Sequence, residues 1–175
     1  GAVQGHHQST EDEIIMSFDV ASMYPNIAIA NNVYPEHLNR SFCKSYQDFY
    51  NERKKFAKGT AENLAIKLGL NATYGNSNNK YSPFYDSMYT MSITINGQLS
   101  LTMLMEKLVQ KFNVKMLMLN TDGLEFIVKR KYQKDVEELV SKWEKHTGLQ
   151  MEGVFYSDMY IADVNSYIAI TMEED

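Results

Sequence analysis

Two stretches decide the fold: Glu13-Ile14-Ile15-Met16-Ser17-Phe18-Asp19, and later Met116-Leu117-Met118-Leu119-Asn120-Thr121-Asp122-Gly123-Leu124-Glu125-Phe126-Ile127-Val128. The first alternates, with Ile14, Met16 and Phe18 on one face and Ile15, Ser17 and Asp19 on the other, so it reads as a strand that delivers Asp19 at its end. In the second, Met116 to Leu119 reads as a buried strand and Leu124 to Val128 as its return, with Asp122-Gly123 as a two-residue hairpin signal between them. Each stretch brings an aspartate to a strand end, where its side chain can leave the core.

Outward from these strands the pattern turns helical. Tyr24-Pro25 and Tyr34-Pro35 interrupt regularity, because the residue before a proline is pushed away from the helical region, and loop or short turns are expected there. A helix is expected from about Ser45 to Lys58, with Gly59 as its stop. Thr60 is an N-cap for a second helix running to about Tyr74, which makes an αα-hairpin. On that second helix Ala61, Leu64, Ala65, Leu68 and Ala72 form an apolar stripe expected to pack. Asn63, Lys67, Asn71 and Tyr74 line the adjacent face, left free for chemistry.

A loop, Gly75-Asn76-Ser77-Asn78-Asn79, leads to a long helix from about Tyr85 to Phe112, with Gly97 as its weak point. A further helix, about Tyr132 to His146, is closed by Gly148, and strands at about Gln150 to Tyr156 and Tyr167 to Thr171 follow. This order predicts an α+β fold in which helices back an antiparallel sheet.

The composition suits a folded, water-soluble domain. Of 175 residues, 44% are hydrophobic and 22% charged, near globular averages and unlike disordered or fibrous chains. No apolar run is long enough to cross a bilayer, and no leader-like series opens the stretch. The single cysteine, Cys43, has no internal partner and fits a reducing cytoplasm. A net charge of −5 argues against a chain-wide electrostatic grip on nucleic acid. The distribution is uneven, however. Between Arg40 and Lys67 seven basic residues face three acids, so the helical hairpin is locally positive while the remainder is strongly negative.

Asp19 and Asp122 are placed as an active site would need them. Paired carboxylates at adjacent strand ends can hold two Mg2+ ions about 4 Å apart and serve phosphoryl or nucleotidyl transfer. The plainer reading makes Asp19 a strand-end cap and Asp122 half of a turn. Lys67 on the helix face suits a triphosphate, acting as a point charge, where the plainer reading is a solvated face. Glu125 is either near the site or an outward-facing strand residue. His6-His7 could be a metal pair but reads better as an exposed terminal segment, and the eleven methionines read as gap-filling core.

Three segments, in order, resemble the polymerase motifs of the family B DNA polymerases, especially phage-type ones. Asp19-Val20-Ala21-Ser22-Met23-Tyr24-Pro25 resembles D-x-x-S-L-Y-P, with Met in place of Leu. Lys67-Leu68-Gly69-Leu70-Asn71-Ala72-Thr73-Tyr74-Gly75 resembles K-x-x-x-N-S-x-Y-G, with Ala in place of Ser. Leu119-Asn120-Thr121-Asp122-Gly123 resembles D-T-D-S, but Asn120 stands where the family usually has a carboxylate, and Gly123 where it has Ser. Weaker echoes are Gly1 to His6, similar to a Gly-rich template-side segment, Thr94 with Gly97-Gln98, similar to the helix after the second motif, and Val164-Asn165-Ser166-Tyr167, similar to a K-x-Y element without its lysine.

The resemblance implies a polymerase palm, an antiparallel sheet backed by helices, with a short two-helix fingers insertion: residues 1–44 palm, 45–75 fingers and 76–175 palm. It implies that Asp19 and Asp122 are catalytic and coordinate two Mg2+ ions, or Mn2+ in their place, with the backbone of Val20 as a further ligand. Ser22 and Met23 would line the triphosphate by their backbone, and Tyr24 would exclude a 2′-hydroxyl. Arg53, Lys67 and Asn71 would hold the phosphates, with Lys58 as a looser second charge. Tyr74 would sit at the nascent base pair, and Gly75, Thr121 and Tyr167 would approach DNA. The implied partners are primer-template DNA and dNTPs, with the exonuclease and thumb as separate domains or chains. The implied place of work is the cytoplasm of a phage-infected or prophage-carrying bacterium. Two other functions remain open at this level: an inactive palm-like module that binds nucleic acid or a replisome partner, and a convergent metal-dependent nuclease or nucleotidyltransferase.

Overall fold

The computed structural model describes residues 1–172, which divide into two compact units: 1–21 with 98–172, and 22–97. The first is built on strands β1 (Gly5–Gln8), β2 (Glu13–Val20), β3 (Lys115–Leu119), β4 (Gly123–Lys129), β5 (Met151–Asp163) and β6 (Ser166–Thr171). They form one antiparallel sheet in the order β1-β5-β2-β4-β3, with β6 on the other edge of β5. Residues 1–3 lie along β3, where the Val3 N–H donates to the Leu117 carbonyl at 2.7 Å, while the next few residues pair with β5. One short segment thus joins separate ends of the sheet and curls it.

The alternation read in β2 is borne out as a division of faces, but both faces are buried. Ile14, Met16 and Phe18 share their side with Leu124, Phe126 and Val128. Helices back this sheet: the second part of α4 (Ser87–Phe112) buries Leu101, Leu104 and Leu108, and α5 (Gln133–Thr147) buries Val136, Leu139, Val140 and Trp143. The Trp143 indole donates to the Ser100 carbonyl at 2.8 Å, tying α5 to α4. Gly148 ends α5 at φ 74°, as its position in the sequence predicts. On the opposite side of the sheet Ile15, Ile127, Leu117, Met118, Met159 and Ile161 form a second core cluster inside the curl.

The second unit is helical: α1 (Met23–Asn31), α2 (Ser41–Arg53), α3 (Ala61–Asn76) and the start of α4. A helix at α1 corrects the expectation of loop around Tyr24-Pro25. Pro25 falls in its first turn, where backbone N–H groups have no intrahelical acceptor, so the missing donor costs nothing. α2 begins and ends a few residues earlier than the pattern suggests. α3 starts where expected, with the Thr60 hydroxyl accepting the Asn63 N–H at 3.3 Å. α4 runs unbroken through Gly97. A Cβ there would lie 2.7 Å from Met23 Cε and 3.0 Å from Ile27 Cδ1, so this glycine serves the close approach of α1 rather than a break.

The packing face of α3 is the main correction. Leu64 and Leu68 are 52% and 60% exposed, and Ala61, Ala65 and Ala72 are exposed with them. The buried positions are Asn63 and Leu70, with Ile66, Gly69, Thr73 and Tyr74 half-buried. Amphipathic spacing located a helix but gave the wrong side of it, because the neighbour is α2 with its own polar demands. Asn63 caps that neighbour, its side-chain N–H groups donating to the Arg53 carbonyl at 3.2 Å and the Phe56 carbonyl at 3.0 Å.

Candidate active site

The sheet unit gathers its acids on one face by register. Asp19 on β2 is level with Glu152 on β5 and Gly123 on β4, and one rung further in Ser17 is level with Val154 and Glu125. The turn carrying Asp122 is docked on the end of β2, the Val20 N–H donating to the Asp122 carbonyl at 2.7 Å. This turn is not the tight Asp-Gly hairpin expected, since Leu119 pairs with Leu124 and Gly123 is not at positive φ. Instead Asn120 closes it: its side-chain Oδ1 accepts the Gly123 N–H at 2.7 Å, and its own N–H donates to the Gly123 carbonyl at 3.1 Å. An amide does this as well as a carboxylate, so Asn120 has a local role that requires no charge.

Gly123 is required for a different reason. A Cβ there would fall 2.0 Å from Asp19 Oδ1 and 2.9 Å from the Phe18 carbonyl oxygen, so the Asp19 carboxyl occupies the space that a side chain would need. Burial raises the pKa of Asp19, and the charges of Asp122 and Glu152 raise it further. Glu125, expected to be no more than a neighbour or an outward-facing residue, is 2% exposed. Burial pushes its carboxyl up to about 7, Asp19 and Asp122 add to the shift, and the Ser17 hydroxyl, donating to Oε1 at 3.2 Å, opposes it. Tyr167 is raised by burial and by Glu125, Asp19 and Asp122, which puts it in range of the same acids. Thr121 is exposed in the turn.

The acids repel one another, and positive charge among them would lower the energy of the group. Among the described residues no three His, Cys, Asp or Glu side chains converge tightly enough to hold a metal ion alone. The donor set nevertheless fits hard divalent cations such as Mg2+ and Mn2+. Those ions take oxygen ligands and complete their shells with water, backbone and phosphate oxygens. His6 and His7 are not a metal pair: they point to opposite faces of β1. His6 stacks on Tyr160 at 4.1 Å and bonds Asp158 at 2.8 Å, while His7 is buried and bonded to the Val3 carbonyl.

The helical unit holds the residues expected at the nucleotide. Ser22 caps α1 in a left-handed conformation, φ 46° and ψ 54°, rare for a residue with a side chain. Its hydroxyl makes no cap bond and instead accepts from Arg53 Nη1 at 2.6 Å, while Arg53 Nε donates to Asn63 Oδ1 at 3.2 Å. Arg53 is thereby held extended by its own unit. Met23 is buried. Tyr24 stacks on Tyr74, ring centroids 3.9 Å apart and planes 15° from parallel, and the Tyr74 hydroxyl bonds Thr94 Oγ1 at 2.8 Å. Lys67, Asn71 and Gly75 are exposed along α3, and nothing lies within 4 Å of where a Gly75 Cβ would be. Sequence reasoning missed Glu152 altogether. Its signal is the pairing of β5 with β2, which alternation alone does not reveal.

No protein-family model matches the chain. Curated relatives do: it is 26% identical over 185 residues to a DNA polymerase of Thermococcus sp. (strain 9oN-7), covering 84% of this chain and 24% of that protein. It is 28% identical over 204 residues to DNA polymerase 1 of Pyrococcus abyssi, covering 92% of this chain and 26% of that protein. The fold is that of a solved family B DNA polymerase from the hyperthermophilic archaeon Pyrobaculum calidifontis, with TM-score 0.64 and 16% identity, covering 97% of this chain and 26% of that one. The resemblance to family B DNA polymerases read from the three motifs therefore extends along nearly the whole chain, and the α+β expectation of an antiparallel sheet backed by helices is met. The chain spans about a quarter of the length of the relatives it matches. Among the described residues no helix is long and apolar enough to cross a membrane.

Proposed function

We propose that the chain is the palm-and-fingers core of a DNA-directed DNA polymerase, adding dNTPs to a primer 3′-hydroxyl. The observation that carries this reading is the crowding of Asp19, Asp122 and Glu152 at one sheet end, within segments that follow the family's motif order; burial first, and then the charges of the other two acids, raise the pKa of Asp19. Bound at Asp19, Asp122 and the Val20 backbone, Mg2+ or Mn2+ would supply Lewis acidity to the attacking hydroxyl and neutralise charge on the phosphates.

The chain's own side chains supply positioning and charge. Lys67 and Asn71 take the phosphates of the incoming nucleotide from the exposed side of α3. Arg53 adds a guanidinium already aimed by Ser22 and Asn63. Tyr24, braced flat against Tyr74, leaves no room for a 2′-hydroxyl, and the backbone of Ser22 and Met23 lines the triphosphate. Tyr74 lies at the nascent base pair with Gly75 beside it, while Thr121 and Tyr167 approach the primer strand. In the reaction the 3′-oxygen forms its bond to the α-phosphorus as the bond to pyrophosphate breaks, and the hydroxyl proton passes to solvent. Residues 1–44, 45–75 and 76–175 are then palm, fingers and palm. Exonuclease and thumb functions belong to other parts or partners, and a phage-type enzyme in a bacterial cytoplasm stays part of the proposal on its motif details.

Primer extension by the 175-residue chain at low salt, in Mg2+ and then Mn2+, tests the reading. Nucleotide-dependent extension that disappears in Asp19→Ala is expected, and Tyr24→Ala should accept ribonucleotides. Extension that survives Asp19→Ala would contradict the catalytic role, and nucleotide-independent loss of DNA ends would indicate a nuclease instead.

A further inference from the structure

Glu125 is the one acidic side chain among the described residues that is buried, at 2% exposure. One carboxyl oxygen, Oε1, accepts the Ser17 hydroxyl, while the other, Oε2, has no hydrogen-bond partner in the protein. A carboxyl oxygen left unpaired in an interior is costly, and such groups persist where a proton, a water or a cation answers them. Two features show which of these the site favours. Glu125 lies on the same sheet face as Asp19, one rung further in, since its register partner Ser17 is two residues before Asp19. The residue that would separate the two carboxyls on β4 is Gly123, which has no side chain. Asp19 and Asp122 both act on Glu125 electrostatically, so its carboxyl is coupled to theirs.

We propose that Glu125 is a rear carboxylate of the divalent-cation site. It reinforces ions held by Asp19 and Asp122 through their field and water shell without being a direct ligand. Its place one rung inside Asp19, buried at the level of Ser17, sets it behind the ligands rather than among them. The inference rests on the reading that Asp19 and Asp122 bind the cation. Residues behind metal ligands tune affinity by orienting the ligands and their water, and their loss weakens binding by about 10- to 100-fold.

Titration of the full chain with Mn2+, following the free-ion electron paramagnetic resonance signal, tests it. The wild type should show saturable binding, Glu125→Gln should bind about 10-fold more weakly, and Asp122→Asn should lose the site. Glu125→Gln keeps the shape and the Ser17 acceptor while removing a buried charge, so its fold should be at least as stable, checked by urea unfolding without metal. Wild-type affinity in Glu125→Gln would overturn this inference alone. Unchanged binding in Asp122→Asn would overturn the reading of the site beneath it, and no saturable binding by the wild type would overturn both.

Discussion

The sheet unit positions its functional groups by pairing, and the helical unit positions its own by winding. Glu152, Asp19 and Gly123 stand level because three strands far apart in the chain meet in register, through the two ladders that β2 makes with β4 and β5. Lys67 and Asn71 need only the four-residue spacing of one helix to share a side. Asp19 and Glu125 are therefore raised in pKa, first by burial and then by the charges of neighbouring acids, whereas the α3 groups are exposed and shaped by little beyond α3 itself. Pairing builds an environment; winding builds only a direction. A substitution on the sheet should be felt by the whole acid group, and one on the outer side of α3 should leave the fold almost unchanged.

The sharpest contrast lies within α3 itself. Leu70 is 1% exposed and Leu68 60% exposed. Leu70→Ala should destabilise the chain by about 4 kcal/mol, through lost transfer energy and the cavity left behind. Leu68→Ala should stay within about 0.5 kcal/mol of wild type by urea unfolding. Equal costs would mean that the outer side of α3 is packed after all.

Next in size is the pH response of the sheet acids in metal-free buffer. Glu125 ionises at about 7 in the folded protein against an ordinary 4.5, so the folded state holds the extra proton between those values. Stability is then greatest below the lower value, falls as pH rises through about 7, and is flat above, with a total loss of about 3 kcal/mol at most. The raised pKa of Asp19 adds in the same direction. Urea midpoints at about pH 5 and about pH 8 should differ accordingly in the wild type and much less in Glu125→Gln. A stability that rises across this range would contradict the burial of an uncompensated acid.

Smaller, but more specific to the site, is Gly123→Ala. The added methyl meets Asp19 Oδ1 and the Phe18 carbonyl, so the turn must shift, at a cost of about 2 kcal/mol. Mn2+ affinity should fall with it, while the same change at exposed Gly75, with open space around it, should leave Mn2+ binding intact.

The residues explain how far the sequence could be read. Strand β2, the start of α3 at Thr60 and the end of α5 at Gly148 were legible because each is set by local chemistry: alternation, a cap, a left-handed glycine. Helix α1 was hidden because proline penalises helix interiors but not first turns, and Pro25 lies in one. The packed side of α3 was misread because an asparagine that caps a neighbour can be worth burying in place of a leucine. Asp19 and Asp122 were legible as strand-end carboxylates. Glu125 and Glu152 joined them only through register, which no single stretch of sequence contains.

The central claim is that the carboxylate face of the sheet is a divalent-cation site. Its most direct test is anomalous scattering from Mn2+ in crystals of the chain grown with a dNTP. Manganese peaks are expected against the carboxylates of Asp19 and Asp122, and they should vanish in Asp122→Asn. Peaks confined to other groups, such as His6 with Asp158, or no peak at the sheet end, would contradict it.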